Sequence, residues 1–409
     1  MTEPFDRLLD RYAQLVVRVG VGVRPGQEVV INCLPEQAEA ARALADEAYR
    51  VGASRVEIMY VDPHLQKAQV LHAPEEMLGR TPDHRLQQVR AWGEAKPALI
   101  SLTGNPFPSL MEGLDPDRLA RSQPIDLMAE VLPVVTGGTV AWTVVGAPTK
   151  GWADSVGVSD VMALWDAVAV AMRLDQADPV AAWRAHIDKL KRRAEILNGH
   201  AFDRVRYRGP GTDVTLGLAP QSLWVGGSLE TVDGTEFVPN MPTEEVFFAP
   251  DWRRAEGTVS TTAAFFLSSM GAMVEGLRLD VHDGAITGVS ADRGEVEVQK
   301  QFELIPRSRH FGEVAIVDQD SAVARTGLVY KDMLFDENVG SHIAWGMGYP
   351  SSFRGALEQS AEDRISSGLN QASTHVDIVI GSPEVQIDGI HADGSVVPVT
   401  RGDEFVLTD

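Results

Sequence analysis

The apolar pattern of this 409-residue chain changes near residue 200. Before that point, short runs rich in β-branched residues alternate with longer segments whose apolar residues recur at helical spacing. The runs predicted as strands cover 27–32, 55–61, 98–103 and 140–145. An alternating order of strands and helices predicts a mostly parallel sheet with helices on its faces, which is an α/β domain.

After residue 200, short strand-like runs separated by Asp-Gly turn dipeptides dominate the sequence. A long helix, predicted over 178–197 with an Asp-Pro start and an Asn-Gly stop, separates the two patterns. We therefore predict an α/β N-terminal domain over residues 1–199. A β-rich α+β C-terminal domain is predicted over residues 200–409.

Composition and charge exclude several classes of partner. The chain has 58 acidic and 36 basic residues, which give a formal net charge of −22. Such a surface repels phosphate backbones, so nucleic acid is not expected to bind. The single cysteine, Cys33, rules out an intrachain disulfide and a thiolate zinc cluster. No run approaches the roughly 18 apolar residues of a membrane span and no signal-peptide pattern opens the chain, so we expect a cytoplasmic protein.

Two of the ten histidines stand in unusual surroundings. His375 and Asp377 open an apolar strand-like run, in which residues i and i+2 point to the same face and can chelate one ion. A solvated face or a local His–Asp hydrogen bond is the alternative. His342 closely follows Asp336 and Glu337 between apolar residues. That mixture is costly to bury without a cation or strong hydrogen bonds, and an exposed loop is the alternative.

Carboxylates open two further apolar runs. Glu244 and Glu245 lead directly into Val-Phe-Phe, so one of the two is expected to face inward. Glu313 opens the apolar run 314–317 in the same way. Charged residues recur at the starts of apolar strands, and this recurrence indicates a functional site in this half of the chain. The other eight histidines, His186 among them, stand in polar contexts and are expected to be solvated.

These segments resemble the metal-dependent aminopeptidases of the aminopeptidase T and aminopeptidase S type, a family of thermophilic metallo-aminopeptidases. The matching blocks follow one another in order at 240–247, 249–250, 312–315, 334–338, 341–344, Tyr349 and 375–377. Further matches at 178–183, 209–213 and 325–329 extend the likeness over nearly the whole chain.

The resemblance implies a set of metal ligands and one catalytic tyrosine, Tyr349, beside the metals. The implied ligands are Glu245, Glu313, His342, His375 and Asp377. It also implies two divalent metal ions per chain, peptide substrates with a free N-terminus, and a homodimer. Oxygen and nitrogen ligands without sulfur suit zinc, cobalt, manganese or magnesium and do not choose among them.

The chain raises two further expectations near the implied ligands. Glu337 lies close enough to His342 in the sequence to be a ligand or an acid that supports one. Phe248 stands where the family usually has threonine, and a changed pocket wall is therefore expected beside Glu245.

The predicted function is an aminopeptidase that hydrolyses N-terminal residues from peptides with a water activated by two metal ions. One alternative is a mononuclear iron ring-cleaving dioxygenase on the same fold, for which His342, His375 and Asp377 would suffice. Another is a non-catalytic protein that binds metal or peptide. The presence of both Glu245 and Glu313 favours two metals.

Overall fold

The computed structural model describes residues 4–408. The chain divides into two compact units. The first contains the described residues up to Arg184 together with Ser228–Pro242. The second contains Ala185–Gly227 and the described residues from Thr243 onward. The domain boundary predicted at residue 199 stays a prediction.

The first unit contains a five-stranded sheet in the order β10-β4-β3-β1-β2, and all of its pairings are parallel. Its strands are β1 (Glu28–Cys33), β2 (Arg55–Tyr60), β3 (Ala98–Thr103), β4 (Trp142–Gly146) and β10 (Asn240–Met241). Its helices are α1 (Phe5–Leu15), α2 (Ala38–Arg50), α3 (Pro63–His72), α4 (Asp83–Ala95), α5 (Pro116–Arg121), α6 (Ile125–Thr136), α7 (Lys150–Val156) and α8 (Val161–Ala171). A short antiparallel pair is formed by β8 (Leu229–Glu230) and β9 (Glu236–Phe237). The predicted α/β class is confirmed.

The inner strand β1 shows why this half of the sequence folds as a covered parallel sheet. Val29, Val30 and Ile31 are each at most 4% exposed, as expected for a parallel strand covered on both faces. Val30 packs with Leu99 of β3 and Trp92 of α4 in one apolar cluster. The continuous apolar run therefore has helices or neighbouring strands on every side.

The second unit is built mainly from two antiparallel sheets, of eight strands in the order β16-β15-β12-β6-β5-β20-β21-β22 and of five in the order β19-β18-β17-β11-β7. The eight-stranded sheet contains β5 (Arg204–Gly209), β6 (Thr212–Gly217), β12 (Ala255–Ser260), β15 (Arg278–His282), β16 (Ala285–Ser290), β20 (Gln386–Ile390), β21 (Val396–Arg401) and β22 (Glu404–Phe405). The five-stranded sheet contains β7 (Val225–Gly226), β11 (Glu245–Phe248), β17 (Phe311–Val317), β18 (His342–Gly346) and β19 (His375–Val379). A hairpin of β13 (Phe265–Leu267) and β14 (Ala272–Val274) accompanies helices α9 (Pro179–His200, from Ala185 onward in this unit), α10 (Glu295–Leu304), α11 (Met333–Asp336) and α12 (Ala361–Ser367). The predicted β-rich character is confirmed.

Helix α9 continues past its predicted Asn-Gly stop. Asn198 and Gly199 lie inside the helix, and the left-handed residue that follows it is Ala201, with φ 48°. The Asn198 side chain binds the Trp224 backbone through both of its polar atoms, accepting from N at 3.0 Å and donating to O at 2.8 Å. Asn198 therefore bonds to a distant segment and, unlike what the sequence had suggested, does not end the helix.

The core of the second unit fixes which way the five-stranded sheet faces. One apolar cluster joins alternate residues of β11, β17, β18 and β19 to residues of the eight-stranded sheet such as Tyr207 and Leu216. The remaining alternate residues of those four strands must point to the other face, because strand side chains alternate. Among the described residues, no helix is both long and apolar enough to span a membrane.

Candidate metal centre

Strand register brings the implied ligands onto one face of the five-stranded sheet. Glu313 of β17 pairs with Ala344 of β18, which in turn pairs with Asp377 of β19. Ala315 pairs with His342, two positions along the same strands. Paired residues of antiparallel strands share a face. The two small alanines therefore lie among the charged side chains and leave room above the sheet.

Buried apolar neighbours hold this register in place. Val246, Val314, Ile343, Val376 and Ile378 each adjoin an implied ligand in sequence and belong to the apolar core. A slip of one residue would turn them all toward the opposite face. The same burial that stabilises the sheet therefore directs the carboxylates and imidazoles to its other side.

Glu313 of β17 lies between two histidines, one on β18 and the other on β19. His342 Nε2 lies 2.8 Å from Glu245 Oε2 and 3.6 Å from Glu313 Oε1. His375 Nε2 lies 3.8 Å from Glu313 Oε2 and 3.3 Å from Asp377 Oδ1. Two three-residue groups result, each with its ligand atoms within 4.8 Å of one another, and Glu313 belongs to both.

The other ring nitrogen of each histidine is already bonded to a backbone carbonyl. His342 Nδ1 lies 3.2 Å from Gly340 O, and His375 Nδ1 lies 2.7 Å from Met347 O. A carbonyl oxygen only accepts, so Nδ1 carries the hydrogen in both rings. Nε2 is then the nitrogen directed at the carboxylates, and once it loses its proton it offers the lone pair that a metal-binding imidazole requires.

Three buried atoms at the centre have unsatisfied bonding capacity. Glu245 Oε2, His342 Nε2 and Asp377 Oδ1 have the close charged neighbours given above but form no hydrogen bond of good geometry within residues 4–408. Burying such groups without partners is unfavourable. Oxygen and neutral nitrogen donors without sulfur suit hard or borderline divalent cations, and three carboxylates offset most of the charge of two such ions. The residues present therefore fit divalent metal.

Burial and mutual repulsion perturb the ionisation of the centre. Burial raises the pKa of Glu313 to about 7, with the Glu245 and Asp377 carboxylates acting in the same direction and His342 opposing them. Burial alone would lower the pKa of His375, but Asp377 and Glu313 outweigh it and raise that pKa to about 9. Strongly perturbed acids and histidines gathered in one place are typical of functional sites.

Comparison with known proteins assigns the chain to a family. The profile of the M29 family, described as thermophilic metalloprotease, matches residues 5–405. The chain belongs to the M29 family. The predicted family and its metalloprotease character are thereby confirmed.

Relatives of this M29 chain match it over nearly its full length. Aminopeptidase T from Thermus aquaticus is 38% identical over 412 residues, which cover 99% of this chain and 100% of the relative. Aminopeptidase PepS from Streptococcus thermophilus is 36% identical over 98% of this chain and 99% of its own. The solved structure of wild-type AmpT from Thermus thermophilus is 35% identical, with a TM-score of 0.90 over 98% of this chain and 100% of that chain.

Tyr349 lies beside the candidate metal centre of the M29 chain. Its ring packs against the His375 ring with centroids 4.8 Å apart, and it meets Phe247 edge-on at 6.3 Å. Burial raises the pKa of the Tyr349 phenol well above its usual range, and the Glu313 and Asp377 carboxylates add to the rise. The hydroxyl therefore stays protonated at neutral pH and can donate a hydrogen bond.

Glu337 is a fourth buried carboxylate at this centre and is 8% exposed. Burial raises its pKa well above the usual range, and the charges of Asp377 and Glu245 act in the same direction. Glu337 thus lies close to the implied ligands, as its place in the sequence suggested.

Two expectations near the centre are wrong. Phe248 does not line the pocket: it is fully buried and packs against Trp224 at 4.4 Å, while Phe247 occupies the face of Glu245. Strand alternation counted from Glu245 predicts that Phe247 shares the face of Glu245 and that Phe248 lies on the opposite face. His186, expected to be solvated, is only 7% exposed, because its partners come from a segment distant in sequence.

Proposed function

We propose that this M29 protein is an aminopeptidase that uses two divalent metal ions per chain to hydrolyse N-terminal residues from peptides. The observation that carries the proposal is the membership of Glu313 in two adjacent three-ligand groups. The names of the M29 relatives, which are aminopeptidases, support the same reaction. Zinc, cobalt, manganese and magnesium all suit the donor set.

Each ion would have its own ligands and share one. Glu245, Glu313 and His342 would hold the first, and Glu313, His375 and Asp377 the second. When bound, the ions supply a water of lowered pKa and polarise the scissile carbonyl. The chain itself orients both imidazoles. Hydrogen bonds from Nδ1 to backbone carbonyls hold each ring with Nε2 directed at the carboxylates.

Tyr349 is the proposed catalytic residue. A protonated phenol held against His375 can donate its hydrogen to the oxygen that becomes negative as the scissile carbonyl is attacked. Because this bond strengthens as charge develops, it stabilises the transition state more than the bound peptide.

The centre suits substrates with a free α-amino group, which can ligate one metal ion or pair with a carboxylate. Glu245, Glu313 and Asp377 lie together, and the buried Glu337 adds a further acid. A protonated or ligating terminal amine finds partners there, whereas an acetylated terminus does not.

A pair of matched peptides tests this function. The free peptide should be cut from its N-terminus, and the N-acetylated peptide should be cut at least about tenfold more slowly, as expected for one lost interaction. Product analysis by mass spectrometry identifies the bond that is cut. Equal rates on both peptides, or internal cleavage, would contradict an aminopeptidase.

A mononuclear iron dioxygenase would need only His342, His375 and Asp377. The M29 match is to metalloproteases and gives that alternative no support, and it gives none to a non-catalytic binding protein. The dioxygenase also leaves the buried carboxylates of Glu245 and Glu313 without a role. Oxygen uptake with a catechol and one iron per chain would be its signature.

We further propose a cytoplasmic homodimer with folding domains at 1–199 and 200–409. The cytoplasmic location rests on the single cysteine, which cannot form a disulfide within the chain. The homodimer rests on the family likeness alone. Cell fractionation, light scattering and expression of the two segments test these statements separately.

A further inference from the structure

The peptide bond that precedes Glu244 is held at both of its polar ends. Its carbonyl, Thr243 O, accepts a hydrogen bond from Nε2 of His186 at 2.8 Å. Its N–H, on Glu244, donates to Oδ1 of Asn338 at 2.7 Å. His186 is 7% exposed and Asn338 is 0% exposed. Rotation of this peptide unit would break two buried hydrogen bonds, one residue before the proposed ligand Glu245.

The side chain of Glu244 also bonds to the surrounding protein. Its Oε1 accepts from Ala322 N at 3.1 Å, and its Oε2 lies 3.5 Å from His186 Nε2. Glu244 is only 3% exposed. Both members of the Glu244–Glu245 pair are therefore buried. Glu245 is directed at the metal centre, and Glu244 is bonded to the protein around it.

Asn338 extends these bonds to another acid of the centre. Its Nδ2 donates to Leu334 O at 2.9 Å and lies 3.5 Å from Glu337 Oε1. Ser321 Oγ donates to Asn338 O at 2.7 Å. One amide side chain thus joins the backbone of Glu244 to the carboxylate of Glu337.

We propose that Asn338 and His186 are positioning residues that set the Glu245 carboxylate at the distance from His342 and Glu313 that divalent metal requires. This inference rests on the proposed function, since it assumes that Glu245 is a ligand. Neither residue is proposed to touch metal or substrate. Partners that orient ligands typically change metal affinity or activity by about 10–100-fold when they are replaced.

Asn338→Asp separates positioning from general stability. The substituted side chain has no Nδ2 hydrogens, so it loses the bond to Leu334 O that holds its oxygen against Glu244 N–H, and its charge repels the Glu337 carboxylate. We expect Co²⁺, used as the probe ion in a competition titration with a chromogenic chelator, to bind about 10–100-fold more weakly. The thermal midpoint of the Co²⁺-depleted protein is measured on the same preparation.

Asn198→Asp is the matched control. Asn198 makes the same two kinds of bond, accepting from Trp224 N at 3.0 Å and donating to Trp224 O at 2.8 Å, in the same compact unit. The control should lose stability and keep the parental Co²⁺ affinity. Parental affinity in Asn338→Asp, or an equal loss in Asn198→Asp, would overturn the inference.

Substitutions of His186 give a second test that does not depend on the folding of Asn338→Asp. His186→Gln keeps an amide donor for Thr243 O, whereas His186→Leu keeps bulk without a donor. We expect the glutamine variant to retain the parental Co²⁺ affinity and the leucine variant to lose about tenfold. Equal affinities in the two variants would contradict positioning by this bond. A parent protein that binds Co²⁺ but cleaves no peptide would instead contradict the proposed function.

Discussion

The second unit contains two groups that each consist of one glutamate, one histidine and one aspartate. The buried group is Glu313, His375 and Asp377, and the exposed group is Glu256, His282 and Asp283. In both, the three ligand atoms lie within 4.8 Å of one another. The side chains of the buried group are 6, 14 and 7% exposed, and those of the exposed group are 60, 66 and 91% exposed.

The two groups differ in how fully their ligand atoms are hydrogen-bonded. Both oxygens of Glu256 are occupied, one by His282 Nδ1 at 2.7 Å and the other by Asp283 N at 3.1 Å. In the buried group, Asp377 Oδ1 has the His375 Nε2 atom 3.3 Å away but forms no hydrogen bond of good geometry in the part of the chain that the structure describes. Residue types and distances alone therefore do not identify a metal site. Burial combined with incompletely bonded ligand atoms favours the buried group as the candidate site, because polar atoms are costly to bury without partners.

Removal of metal should produce the largest effect. We expect prolonged treatment with excess chelator to abolish peptide hydrolysis, because the proposed water depends on bound ions. Adding back a divalent ion should restore it. Hydrolysis that persists at full rate after exhaustive dialysis against chelator would mean that the buried group has another purpose.

Matched glutamine substitutions in the buried and exposed groups should have opposite outcomes for metal binding. Glu313→Gln replaces the shared anionic ligand by a neutral amide, which binds hard cations poorly. Its metal affinity should fall by more than about 100-fold, beyond the usual effect of a residue that only orients a ligand. Glu256→Gln should keep the parental metal content and the parental kcat. Equal metal content in the two variants, measured by elemental analysis, would refute the assignment of Glu313.

Tyr349→Phe should affect the rate and leave the metal in place. The ring that packs against His375 is retained, and only the hydroxyl is lost. We expect kcat to fall by roughly 10²–10³-fold, the usual loss for one donor to a developing oxyanion. Metal content is measured on the same sample. A kcat close to the parental value would make Tyr349 a packing residue.

The exposed group should show only a local titration effect. The hydrogen bond and charge of Glu256 raise the pKa of His282 above its usual value near 6.5. The small contribution of the His282–Glu256 ion pair to stability is therefore present below pH 6.5 and fades as the pH rises through the raised pKa of His282. NMR titration should give a lower His282 pKa in Glu256→Gln than in the parent. An unchanged pKa would mean that the ion pair does not persist in solution.

Periodicity predicted the parts of the centre that depend on a single strand. His375 and Asp377 lie on one strand, as their spacing indicated, and β3 has the bounds predicted for it. Both results follow from local patterns, since alternation and β-branched runs are properties of a few consecutive residues. The roles of these residues as ligands stay predictions.

Other features depend on segments that are distant in sequence. His186 is buried because Thr243, 57 positions away, accepts its hydrogen bond. Strand β10 has two residues and joins the parallel sheet beside β4, so that 228–242 belongs to the first unit. A strand of that length carries no periodic signal. Partners of this kind become visible only when the fold is known.

A metal titration tests whether two ions act together at this centre. The ions bound per chain are counted, and peptide hydrolysis is followed on the same sample as ions are added. Two groups that share Glu313 predict two ions per chain, and full activity only when both are bound. Full activity with one ion per chain, and no further uptake at higher metal concentration, would contradict a two-metal centre.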